Sequence, residues 1–116
     1  MPSIKKDIDH VAVRELHLFL TNTDKLYEDR MIPIIKNLIR KINSGIYDHE
    51  KSKKLWYAFA TSGGKLYGEI FGMNPPNFPT DVRRAVASEM ADDFLDEYTS
   101  GEYDWINTKA PNQYTK

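Results

Sequence analysis

The chain has 116 residues, with 16 Lys and Arg against 17 Asp and Glu, and no cysteine. That length suits one hydrophobic core, and a formal net charge of -1 excludes bulk charge as a drive toward nucleic acid or anionic membrane. The lack of thiols removes disulfides, thiol catalysis, thiolate zinc and iron–sulfur ligation.

The first residues, MPSIKKDIDH, are charged and hold no apolar run. No segment reaches the roughly 18–20 apolar residues of a membrane span, so the expectation is a soluble, cytoplasmic protein. Residues 1–8 read as a polar lead-in. From about Asp9 to Leu20, Val11, Val13, Leu16, Phe19 and Leu20 form one face of a helix, although alternation in His10-Val11-Ala12-Val13 keeps a short strand open. Thr21-Asn22-Thr23-Asp24 favours capping and turns, which predicts a break or kink there.

The second helix carries Tyr27, Met31, Ile34, Ile35, Leu38 and Ile42 on one face, with Lys36, Arg40 and Lys41 opposite. Pro33 cannot donate to the Asp29 carbonyl, at a typical cost of about 3 kcal/mol in a helix interior. The apolar stripe crosses Pro33 without changing phase, which predicts a kink rather than a new start. Gly45 supplies the left-handed stop and Asp48 the cap of the next helix, so two helices meet at a short corner.

Leu55, Trp56, Phe59, Gly63, Leu66, Tyr67, Ile70 and Phe71 then form a wide stripe on a central helix. Each interior glycine of Ser62-Gly63-Gly64 costs about 1 kcal/mol relative to alanine. The unbroken phase predicts close packing at that point rather than a bend. Gly72 and the MNPPNFP segment predict a loop over 72–79. Thr80 is the expected cap of a last helix carrying Val82, Val86, Met90, Phe94 and Tyr98, which ends near Ser100-Gly101. The irregular tail over 101–116 holds Tyr103, Trp105 and Ile106, placed to dock back as a short clamp. The expected fold is all-α, a four-helix bundle-like single domain with a kinked second helix.

Chemistry is less marked. His10 and His17 share a helical face, with Asp7 and Asp9 nearby, but lie roughly 10 Å apart along it, whereas zinc needs three or four converging ligands. Ser52, Thr61, Ser62, Tyr57 and His49 are the nucleophile and base candidates, and no spacing joins them. Ser62-Gly63-Gly64-Lys65 lacks the spacing and preceding strand of a phosphate loop. No catalytic residue, cofactor or metal site is expected.

Charge segregation says more. Lys36, Arg40, Lys41, Lys51, Lys53 and Lys54 gather around the corner, with Tyr47, Trp56 and Tyr57 close by, a combination suited to phosphates and stacked bases. Seven acids, Glu89, Asp92, Asp93, Asp96, Glu97, Glu102 and Asp104, follow one another without a base between them. A helix bearing such carboxylates can occupy a basic cleft on another protein, or support self-association. Asp96 and Glu97 also oppose the helix dipole, so local stability does not account for them. The ordinary reading of both clusters is solvated helix surface.

The run over residues 18–72 resembles small accessory proteins of bacteriophages and plasmids. Leu26, Tyr27, Pro33, Ile34, Asn37 and Leu38 carry the likeness, followed by Gly45, Tyr47 and Asp48, then Lys65, Tyr67 and Phe71. Ser62-Gly63-Gly64 and the long loop depart from the usual pattern. The resemblance implies a mobile-element accessory protein in a bacterial host and carries over no catalytic residues. The leading expectation is a non-enzymatic protein that docks a protein partner through Glu89, Asp92, Asp93, Asp96 and Glu97 or through exposed aromatics. The alternative is a nucleic-acid-binding module using the basic corner.

Overall fold

The computed structural model describes residues 8–106. Residues 1–7 of the lead-in and 107–116 of the tail lie outside them. The order is α1 (His10–Asn22), α2 (Asp24–Leu26), a π-helical turn (Tyr27–Met31), α3 (Ile32–Asn43), α4 (His49–Phe71) and α5 (Thr80–Thr99). Among the described residues there is no strand, and the architecture is an all-α bundle. α4 and α5 share the largest interface, and α1 lies against both.

The Asp9 carboxylate accepts from the Val11 and Ala12 amides, both at 3.1 Å, which decides for helix over strand in α1. Val13, Leu16 and Leu20 are buried, whereas Val11, expected on the same face, is 72 % exposed. Two residues of helix separate Val11 from Val13 by about 200°, so both cannot face one core. Thr23 breaks the helix in the expected place with a single extended residue, φ -97°, ψ 108°.

Pro33 is accommodated by a device that the sequence spacing does not reveal. α2, the π turn and α3 follow one another without interruption. The Ile32 amide donates to the Tyr27 carbonyl, five residues back. The wider turn lets Pro33 fall in the first turn of α3, where its missing N–H matters least. It also re-phases the inner face, since buried Leu26 and Met31 are five residues apart while Met31, Ile35, Leu38 and Ile39 keep α-helical spacing. Tyr27, expected at the head of the stripe, is only partly buried.

The corner is built as predicted. Gly45 has φ 76°, its amide donates to Ile42, and the Ile46 amide reaches back to Lys41. This Schellman pair closes α3, and Asp48 opens α4 by accepting from the Lys51 amide at 3.1 Å. α5 ends in the same way, with Gly101 donating to Tyr98 and Glu102 to Glu97. At its start, the extended Pro79 and not Thr80 is the N-cap residue. Thr80 is already helical, and its hydroxyl accepts from Arg83 Nη2 at 3.1 Å.

Along α4, Trp56, Phe59, Ala60, Gly63, Gly64 and Gly68 are buried, but Ile70 and Phe71, expected in the stripe, are 58 % and 62 % exposed. The glycines explain the difference: the inward face over the last turns is the one without side chains. A Cβ at Gly63 would collide with Leu20 Cδ2, one at Gly64 with the Asn77 carboxamide, and one at Gly68 would stand 2.5 Å from the Pro76 carbonyl carbon. The 73–79 loop therefore lies directly on the α4 backbone. Asn77 Nδ2 donates to the Thr61 carbonyl at 3.0 Å, and buried Phe78 packs on Tyr67 with ring centres 5.0 Å apart.

In the tail, Tyr103 and Ile106 are buried and form the expected clamp, while Trp105 is exposed. The Tyr103 ring stacks on Phe94 at 5.8 Å. Its phenol donates to the Glu97 carboxylate.

Gly68→Ala is expected to lower the unfolding free energy by about 2–3 kcal/mol, because backbone must move. Gly63→Ala should cost only about 1 kcal/mol, since a Leu20 methyl can rotate aside and alanine favours the helix. Urea denaturation of the two variants checks this, and equal losses would contradict the backbone contact.

Candidate functional site

The acidic face of α5 is already bridged from two sides. His17 of α1 places Nδ1 3.5 Å from Glu89 and Nε2 3.6 Å from Asp93. His49, at the start of α4, lies 2.9 Å from Asp92 through Nε2. Glu97 accepts from Tyr103, and Asp96 is exposed. Four of the five residues expected to form a docking face thus have an intramolecular group within reach, although the His17 contacts are ion pairs only on a protonated imidazole, and Glu89 and Asp92 stay exposed with Asp93 half-buried. Nothing in the sequence spacing pairs His17 or His49 with α5.

His49 also leads a chain of hydroxyls. Its Nδ1 is 2.9 Å from the Tyr47 phenol, which is 3.3 Å from Ser52 Oγ, and Ser52 donates to the His49 carbonyl at 2.6 Å. The order carboxylate, imidazole, hydroxyl resembles a nucleophile with its base, but the last proton rests on a carbonyl, which is no base. Ser52 is buried, and burial pushes the Tyr47 phenol above its ordinary pKa. The chain ties the corner to α5. Among the other candidates, Ser62 accepts from Arg30 and Thr61 from Arg83, and neither meets His49. Among the described residues no group of three or more His, Asp or Glu is placed to hold a metal ion. None of their helices is long and apolar enough to cross a membrane.

The basic side is rearranged relative to the sequence reading. An open groove of about 530 Å³ between α4 and α5 is lined by Lys53, Lys54, Tyr57, Arg84 and Ser88, with Glu50 at 3.2 Å from Lys53. A second groove, about 280 Å³, lies between α3 and α4 and is lined by Lys41, Lys51 and again Lys54. Lys36 and Arg40 line neither. Arg84 is the cation that sequence reasoning missed; its signal was being, with Arg83, one of two bases in an otherwise acidic helix.

The aromatics divide likewise. Trp56 is 0 % exposed, between Phe59 and Phe94, and cannot stack on a ligand. Tyr47 belongs to the hydroxyl chain. Tyr57 alone of the three lines the α4–α5 groove. Arg83 holds its guanidinium 5.5 Å from the Tyr57 ring centre, and is itself fixed by bonds to the Phe78 carbonyl, Thr61 Oγ1 and Thr80 Oγ1.

No protein family matches the chain, and no curated protein or solved structure is significantly similar to it.

His49→Ala, which removes the links to both Tyr47 and Asp92, is expected to cost about 1–2 kcal/mol. Asp92→Asn, which keeps an acceptor, should cost less than half of that in the same urea titration. Burial, and then Glu97, raise the Tyr103 pKa well above the ordinary tyrosine value. The unfolded phenol ionises near pH ~10 while the folded one keeps its proton, so this contribution is full below that pH and is lost as pH rises above it. Stability should therefore fall as pH rises above ~10, and less steeply in Tyr103→Phe, as measured by urea denaturation at each pH.

Proposed function

We propose that this protein is a non-catalytic binding module that holds the phosphate backbone of a nucleic acid in the α4–α5 groove. The observation that carries this reading is the convergence of Lys54 with Arg84 from a second helix around one open groove, with Lys53 beside them and paired to Glu50 at 3.2 Å. Cations fixed on two packed helices supply an attraction that is independent of base sequence and does not depend on net charge. A protein partner on the acidic face is the weaker reading, because Asp92 and Glu97 would have to give up His49 and Tyr103 to engage it.

Charge reversal separates the two. Lys54→Glu with Arg84→Glu should weaken nucleic-acid binding at least tenfold and reduce the slope of log affinity against log salt by about 2, one for each lost phosphate contact. Reversal at Asp92, Asp93 and Asp96 should leave binding equal or tighter. Fluorescence anisotropy across a salt series measures both, and loss of binding in the acidic variant alone would overturn the assignment.

A further inference from the structure

We infer that the ligand of this groove is single-stranded, with one unpaired base stacked on Tyr57 between the phosphates held by Lys54 and Arg84. The inference rests on the phosphate-binding reading above and adds to it the form of the nucleic acid.

The groove is concave and lies between two helices, with Tyr57 on its wall and Ala87 among its lining residues. A duplex presents phosphates and base edges, and its base faces are covered by their neighbours. An aromatic ring set inside a groove gains nothing from it, whereas an unstacked base has a free face to offer. Arg83 covers one face of the Tyr57 ring with a guanidinium held by three hydrogen bonds and does not line the groove, so the face toward the groove is the one a base would take. Lys54 lines both this groove and the one between α3 and α4, where Lys41 and Lys51 outnumber the Asp48 carboxylate that caps α4. A flexible strand can follow that turn around α4 in a way that a stiff duplex cannot. Glu50 lies on the groove as well, but its carboxylate is paired with Lys53.

The experiment measures anisotropy of labelled fifteen-residue oligothymidylate, oligouridylate and a fifteen-base-pair duplex with the full chain, its Tyr57→Leu and Tyr57→Phe variants, and Lys54→Glu/Arg84→Glu. The wild type should bind a single strand at least tenfold tighter than the duplex, with the better of the two oligomers distinguishing DNA from RNA. Tyr57→Leu, which keeps apolar bulk, should lose roughly tenfold on single strands and nothing on the duplex, while Tyr57→Phe keeps its affinity. Equal binding of strand and duplex by the wild type overturns the single-strand inference whatever the variants do. If Lys54→Glu/Arg84→Glu then still abolishes binding, the phosphate groove stands without it. Failure of the wild type to bind any of the three removes the groove reading itself.

Discussion

The contact on which the rest depends is backbone against backbone: Pro76 of the connecting loop seated on Gly68 of α4. With no Cβ at Gly64 or Gly68, the loop can fold down onto the helix. Asn77 then fastens it to Thr61, and Phe78 fills the space beside Tyr67. This sets where α5 begins and sends it back along α4. Both charged features follow from that placement. One edge of α5 brings Asp92 to His49 and Asp93 to His17, and another edge brings Arg84 to Lys53 and Lys54. Shifted by one residue, α5 would turn about 100° and separate all of these groups.

Local chemistry was legible in the sequence wherever a residue type has one dominant use. Gly45 and Asp48 defined the corner because a left-handed stop and a carboxylate cap act within a few residues of themselves. Gly63 and Gly64 could be read as sites of close approach because the apolar pattern ran through them unbroken, whereas Gly68, the seat of Pro76, carried no such signal. Pro33 was harder, since a kink and a π turn both relieve the same clash, and only the tertiary environment chooses. Thr80 misled for a related reason: a good capping residue stood next to a proline whose extended backbone ended the loop one position earlier.

The candidate site was legible only in part, because its partners are far apart in sequence. Lys53 and Lys54 stood out as a charged cluster, but six neighbouring cations in a row of letters turned out to point into two grooves and beyond them. Trp56, the most conspicuous aromatic, went to the core, and the less conspicuous Tyr57 remained on the groove wall. The acidic run invited a reading as surface, yet two histidines and a tyrosine from elsewhere in the chain reach it. Helical periodicity tells which face is apolar; it does not tell which polar neighbour an adjoining element will bring.

The π turn at Tyr27–Met31 has a consequence for how this chain tolerates change in length. It stores one residue more than an α-helix needs between Leu26 and Met31, without opening a loop to hold it. Removal of that residue restores ordinary α-helical winding but turns the short segment before it, which carries buried Leu26, by about 100° relative to α3. Without the extra residue Leu26 would leave the inner face that Met31, Ile35 and Leu38 keep, so the turn is what lets both ends of this long helix share one core.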